Sequence, residues 1–283
     1  SKHQRIIQNL SKANIKEYGA SKLIYNLNKD LVSKLKDIYP ELWGYIFSLA
    51  TERLFYSSPL KNMQTHFNYS YLSDEFPKIN LSPKNASEIL KQIGIDREKV
   101  VNFLKKLMIG TEHLIVDLTA IYSQAENSTY PAKGYNSHKE YLPQVNMLLL
   151  FSKDKNKPIY FRLLPGSIPD INSIKLTLEE SEINNAVFVG DKAFYSESNV
   201  ESIKKFVSKY ILPIRRNLSM IDYSPTKNAT KKDFDGYFFF ENRVIWHKET
   251  KHGENRIILF LDESLKLSEQ NGFLQRLESK NSK

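Results

Sequence analysis

Two short apolar runs in this sequence each end in a carboxylate, and that pairing constrains the fold more than any other feature. In "EHLIVDLTAIYS", Leu114, Ile115 and Val116 lead straight into Asp117; in "AVFVGDKAFYSESN" the run closes on Gly190 and Asp191, with Lys192 next. Runs this short and continuously apolar have the composition of strands buried by helices. In such sheets, side chains at the C-terminal ends of strands emerge into a crevice where ligands bind. If the two strands are neighbours, their carboxylates stand close together, where like charges do not both ionise cheaply. A divalent cation resolves the conflict. Mg²⁺ or Mn²⁺ takes oxygen ligands, and ions bridged by carboxylates activate a water or hydroxyl and stabilise a leaving oxygen at phosphorus. Lys192 is then placed to contact a phosphate. One strand-end aspartate alone serves equally well as a helix cap or turn former, so the weight rests on the pair.

The surrounding pattern supports a sheet. "QVNMLLLFS" and "PIYFRLLPG" predict two further strands, the second closed by Pro165 and Gly166. "DINSIKLTLEESEI" predicts a helix capped by Asp170, "SNVESIKKFVSKY" a helix with a Ser198–Glu201 capping box, and "YILPIRRN" another strand. Three consecutive strands followed by strand and helix alternation predict a mixed sheet over 111–217. Residues 1–110 carry apolar residues at three- and four-residue spacing, interrupted by Pro40, and predict helices. Within them, "LSPKNASEILKQIGIDREKVVNFLKKL" predicts two helices. Asn85 and Glu88 form a capping box for the first, Gly94 ends it, and Asp96 caps the second. Such a pair has the outline of a helix-turn-helix reader, but it is also the commonest way to build a small helical domain, and that plainer reading is preferred. After 218, "DGYFFFENRVIWHKETKHGENRIILFLDES" predicts an antiparallel β element with a turn at Gly253, followed by a charged helical tail.

Composition narrows the chemistry. The chain has 283 residues, 41% of them hydrophobic, enough for a proper core. No stretch has the roughly 18 apolar residues of a membrane span, and the first residues lack a signal-peptide core, so a cytoplasmic protein is expected. Cysteine is absent, so any metal must sit on carboxylates or histidines. His247 and His252 stand five apart, a spacing that fits neither a helical pair nor a strand clamp, and no metal role is assigned to them. A net charge of +9 favours polyanionic partners. Lys204, Lys205, Lys209, Arg215, Arg216, Lys231 and Lys232 are candidates for a DNA-facing stripe, although half of them fall on a helix whose exposed side would be charged anyway.

Four segments in order carry a family resemblance: "VDLTAIYS"; Gly134 with Tyr135; Pro165 through Asp170; and Gly190 through Ser196. Over about 111–217 the chain resembles insertion-sequence transposases that have an Asp-Asp-Glu (DDE) site on a ribonuclease H-like fold. The resemblance implies an α+β, mixed α/β architecture: a helical domain over 1–110 that binds the element's ends, a ribonuclease H-like core over 111–217, and a β-rich insertion over 218–283. It implies that Asp117 and Asp191 bind catalytic Mg²⁺ or Mn²⁺, with Asp170 a less secure third. Lys192, Lys204, Lys205, Arg215 and Arg216 would meet DNA, both transposon ends and target, in a homodimeric complex. The family's third acidic residue sits on a late helix with a Tyr and an Arg upstream and a Lys downstream. No such constellation occurs here: Glu263 and Glu269 lack the Tyr and Arg, and Glu278 stands near the end. A truncated transposase is therefore expected, with two alternatives. One is a non-catalytic, transposase-derived DNA-binding protein. The other is an aspartate-nucleophile phosphohydrolase, which normally needs an aspartate where this chain has Thr119.

Overall fold

The computed structural model describes residues 15–125, 128, 130–133, 142–167, 170–227 and 230–281. The chain divides into two compact units, Ser1–Leu212 and Pro213–Lys283.

Among the described residues the first unit begins with seven α-helices: α1 (Gly19–Leu27), α2 (Lys29–Ile38), α3 (Trp43–Phe55), α4 (Met63–Tyr69), α5 (Leu72–Glu75), α6 (Pro83–Ile95) and α7 (Arg97–Met108). Helix α2 stops two residues before Pro40, because proline drives its predecessor out of helical geometry. Val32, Leu35, Phe47, Met63, Phe67 and Leu81 form the core of this helical part. Two of the expected helix signals are replaced. Helix α6 starts with Pro83 in its first turn, where a missing N–H costs nothing, and Asn85 donates to the Asn80 carbonyl instead of forming a box with Glu88. The helix also runs past Gly94 to Ile95. Asp96 caps α7 as expected, accepting from the Lys99 N–H at 3.1 Å. Val101, Leu104 and Met108 of α7 are buried in the core of the sheet that follows, and Phe103 packs on both cores. The apolar face of α7 is thus occupied by the sheet.

That sheet contains β1 (His113–Tyr122), β2 (Ala132–Lys133), β3 (Pro143–Ser152), β4 (Lys157–Pro165), β5 (Val187–Gly190) and β6 (Lys209–Ile211). Strand β3 pairs antiparallel with β1, β2 and β4, while β1 pairs parallel with β5 and β5 with β6. The sheet is therefore mixed, as the strand and helix order predicts. Helices α8 (Asp170–Ser181) and α9 (Glu197–Lys204) form the connections into β5 and β6, which run parallel to β1 and β5. Leu114, Val116, Leu148, Leu150 and Phe188 fill one core with Ile174 and Leu178 of α8 and Ile203 of α9. Ser196, not a Ser198–Glu201 box, caps α9 by accepting from the Asn199 N–H at 3.1 Å. The cap expected from the Asp170 side chain lies outside the described residues.

A partly buried ion cluster joins α7, α8 and β4. Glu180 accepts from Arg97 Nε at 3.1 Å and Nη2 at 2.6 Å, pairs with Arg162 at 3.1 Å, and accepts from the Tyr160 hydroxyl. Burial works to raise the Glu180 pKa, but hydrogen bonds from Arg97 and Tyr160 and the two guanidinium charges hold it below the ordinary value. Arg97 also reaches the Phe161 carbonyl at 3.3 Å, so one carboxylate fixes the angle of α7 on the sheet.

The second unit holds α10 (Ser224–Lys227), an antiparallel sheet of β7 (Gly236–Phe240), β8 (Arg243–His252) and β9 (Asn255–Asp262), and α11 (Glu263–Asn281). Glu241 and Asn242 between β7 and β8 both have positive φ, 48° and 62°, the backbone of a two-residue hairpin turn. Gly253 at φ 59° turns β8 into β9, where the sequence predicts it. Arg216 makes a two-pronged contact with Glu269 at 2.7 and 3.1 Å.

Replacing Glu180 with Gln leaves two guanidinium groups without their charge partner, and should lower stability by about 1–3 kcal/mol. Urea denaturation of Glu180→Gln against the parent protein measures it, and an unchanged midpoint would remove the cluster from the account of α7 docking.

Candidate active site

The parallel pairing of β1 and β5 runs from His113↔Val187 to Val116↔Gly190 and then stops. The next residue after each paired run is an aspartate, Asp117 on β1 and Asp191 just past the end of β5, where neighbouring strands lie about 4.8 Å apart. The expectation that both aspartates close their strands holds only for β5. Strand β1 continues to Tyr122 because β3 pairs with it over that whole length, with Asp117 opposite Leu149.

Alternation decides which way the carboxylates face. Leu114 and Val116 are buried, whereas Ile115, Asp117 and Thr119 are exposed. Leu114 registers with Phe188, and both are fully buried. Counting on through the extended backbone at Asp191 (φ −77°, ψ 164°) puts it on the face that carries Asp117. Both side chains are exposed.

Each carboxylate is held through one oxygen. Asp117 Oδ2 accepts from the Thr119 hydroxyl at 3.2 Å, and Asp191 Oδ1 accepts from the Lys192 N–H at 2.5 Å. Among the described residues, Asp117 Oδ1 and Asp191 Oδ2 have no protein partner, and no Lys or Arg side chain pairs with either aspartate. The donor set therefore suits a hard divalent cation: two exposed oxygens in adjacent register, not neutralised by the protein. The Lys192–Phe194 turn that Asp191 caps is anchored by Phe194, which is buried and meets Phe188 edge-on at 6.5 Å. A Cβ on Gly190 would come within 2.9 Å of the Phe188 ring and 3.0 Å of Leu212 and Phe194, so the residue before Asp191 must be small.

Other residues singled out in the sequence fall as follows. Pro165 and Gly166 close β4, and a Cβ on Gly166 would lie 2.3 Å from the Gln144 carbonyl and 2.4 Å from that of Ala132, so only glycine fits there. Gly134, Tyr135 and the Asp170 side chain lie outside the described residues. Lys192 is exposed next to Asp191, and Lys204 and Lys205 are exposed at the end of α9. Arg215 and Arg216 belong to the second unit, where Arg216 is bound by Glu269 and Lys231 pairs with Glu263. The basic residues of the expected stripe are thus divided between the two units. Thr119, whose hydroxyl donates to Asp117, shares its face through the two-residue alternation of the strand, the one sequence signal for its role.

One group of three potential ligands occurs among the described residues: Glu112, His113 and Asp154. It lies at the start of β1, four residues or roughly 13 Å of strand from Asp117. Asp154 Oδ2 accepts from the N–H groups of Glu112 and His113, both at 2.8 Å, and its Oδ1 lies 2.8 Å from His113 Nδ1. The backbone N–H of His113, with the imidazole and the Glu112 N–H, holds the Asp154 carboxyl far below its ordinary pKa. An ion here would have to displace His113, so the cluster serves as a clamp between β1 and the turn after β3. Asp117 and Asp191 are not joined by a third Asp, Glu or His at ligand distance among the described residues.

Comparison with known proteins adds a family. The Transposase DDE domain family is matched by residues 109–266, more than half of the chain, a span that contains both aspartates. No curated protein matches the sequence. Among solved structures, the piggyBac transposase in a synaptic complex with hairpin DNA is similar at 13% identity and a TM-score of 0.37, over 84% of this chain and 51% of that one. The chain spans about half the length of that transposase. By the match over 109–266, the chain belongs to the transposase DDE domain family.

Proposed function

We propose that this chain carries the DNA-cutting centre of a DNA transposase, with Asp117 and Asp191 as its metal-holding carboxylates. The observation that carries the proposal is the register: β1 and β5 stop pairing at Val116↔Gly190, and the residue after each is an exposed aspartate with an oxygen free of partners among the described residues. A bound Mg²⁺ or Mn²⁺ supplies activation of the attacking oxygen and charge neutralisation at the phosphorus. The chain's own residues do the rest. Thr119 and the Lys192 N–H orient the two carboxylates, Gly190 lets the Asp191 turn seat against Phe188, and the Lys192 side chain is placed to meet a DNA phosphate. Lys204 and Lys205 are proposed to contact the DNA backbone, as Arg215 and Arg216 are from the second unit. Residues 1–110 are proposed to engage the element's ends, and the DNA complex to be a homodimer. No described helix is long and apolar enough to cross a membrane.

A second reading is favoured by one observation, the lack of a third ligand beside the pair among the described residues. In that reading the chain binds DNA without cutting it. The two separate in one experiment. With Mn²⁺ and a duplex bearing the element's ends, the cutting centre nicks or joins strands, and Asp117→Asn or Asp191→Asn lowers the rate at least about 100-fold while DNA binding persists. Binding with no cleavage in the parent protein, unchanged by either substitution, supports the second reading.

A salt titration tests the basic residues. Lys204→Ala together with Lys205→Ala should flatten the dependence of log affinity on log salt by about two units if each neutralises one phosphate. An unchanged slope removes both from the interface.

A further inference from the structure

The inner face of α9 carries a polar side chain among apolar ones. Asn199, Val200 and Ile203 are the buried residues of this helix. Ile203 lies in the core of the sheet, as the spacing of an amphipathic helix demands. Asn199 is only 1% exposed, and a buried carboxamide is costly unless its polar atoms are bonded.

Half of that carboxamide is bonded. Asn199 Nδ2 donates to the Phe194 carbonyl at 2.9 Å, and Oδ1 has no partner among the described residues. The atom that faces a carbonyl must be the nitrogen, since turning the amide over would set oxygen against oxygen. A leucine has the same branched shape and would fill the place without stranding an acceptor. What the asparagine adds is its donor, and that donor serves the turn that carries Asp191.

The connection to the carboxylate can be followed bond by bond. The peptide unit between Phe194 and Tyr195 is held at both ends: its carbonyl accepts from Asn199, and the Tyr195 N–H donates to the Lys192 carbonyl at 3.2 Å. The Lys192 N–H in turn donates to Asp191 Oδ1 at 2.5 Å. The Phe194 N–H donates to the Asp191 carbonyl at 3.0 Å, so the backbone of Asp191 is tied to the same turn. At its other end Asn199 is itself fixed, because its own N–H donates to Ser196 Oγ at 3.1 Å. The buried Phe194 ring settles where the turn sits, but it leaves the following peptide unit free to tilt. The Asn199 bond removes that freedom.

We infer that Asn199 is a positioning residue for Asp191: from the first turn of α9 it sets the tilt of the turn that aims the Asp191 carboxylate. The role rests on the proposed pairing of Asp117 and Asp191 as metal-holding carboxylates. Asn199 is buried, so it acts through the turn and not as a ligand.

Hydrogen exchange and Mn²⁺ titration on the full chain test the role together. In Asn199→Leu, protection of the Phe194 and Tyr195 amides should fall about 10-fold relative to the amides of Leu148 and Leu150, which report opening of the sheet as a whole. Mn²⁺ affinity, read from the paramagnetic resonance signal of the free ion, should weaken about 10-fold in the same variant, as when a group supporting a metal ligand is lost. Asn199→Ala should behave likewise. A side chain that only fills the core would shift the urea midpoint on truncation to alanine and leave Mn²⁺ affinity of the folded protein unchanged in both variants; that result overturns the role. Protection at Phe194 and Tyr195 that falls no further than at Leu148 and Leu150 overturns it too, as does failure of both variants to fold, which would mark Asn199 as structural. The aspartate variants separate this role from the reading beneath it. Mn²⁺ binding that survives Asp117→Asn and Asp191→Asn overturns the proposed centre and this role with it, whereas binding that needs both aspartates and is unmoved by Asn199→Leu overturns the role alone.

Discussion

The parallel pairing of β1 with β5 is the contact on which the candidate site depends. Leu114 and Phe188, opposite one another and fully buried, fix which face of each strand turns inward. A slip of one residue would turn one strand over relative to the other and drive its aspartate into the core, where a carboxylate without counter-charge cannot stay ionised cheaply. The same hydrophobic register that closes the core therefore also sets Asp117 beside Asp191 on the open face. Core and site are one constraint, because the apolar runs that fill the one end in the residues that make the other.

The chain handles negative charge in two contrasting ways. Asp117 and Asp191 are exposed and each is steadied through a single oxygen, so water bears most of the cost of their charge and the second oxygens stay available for an ion. Glu52 is enclosed by α3 and its neighbours, where among the described residues neither of its oxygens has a hydrogen-bond partner. A proton is the smallest charge that can neutralise it there. Exposure separates the two cases: the same functional group is a candidate metal ligand on the open face and, in the helical core, an acid that burial pushes up to about 6.

Much of this was legible in the sequence because it is local. Apolar runs, their spacing and the turn at Gly253 depend on near neighbours, and the mixed sheet follows from strand and helix order. Asp96 as a helix cap was legible for the same reason. Ser196, two residues before the serine that pattern suggests, caps α9 because Phe194 is sunk in the core and sets where the helix can begin. Strand β1 outruns Asp117 because β3 pairs with it to Tyr122, a partner that no local pattern names. The basic stripe looked continuous in sequence, but the boundary after Leu212 divides it, and that boundary is set by contacts far apart in the chain.

Why β1 continues beyond its aspartate has a mechanical answer. Up to Val116 the strand is paired on both sides, and from Asp117 onward β3 alone holds it, through Leu149 and the residues after. Asp117 thus stands at the first position where β1 gains an open flank while its backbone remains fixed by the antiparallel ladder. Asp191 reaches the same kind of position differently: β5 ends, and a short turn sunk on Phe194 holds the carboxylate through the Lys192 N–H. Both side chains are set before any ligand arrives, one by a strand and one by an anchored turn, so little ordering is left to oppose ion or phosphate binding. An aspartate at the free end of a fraying strand would lose that advantage, which is the physical reason for an extra half-strand with no core of its own to fill.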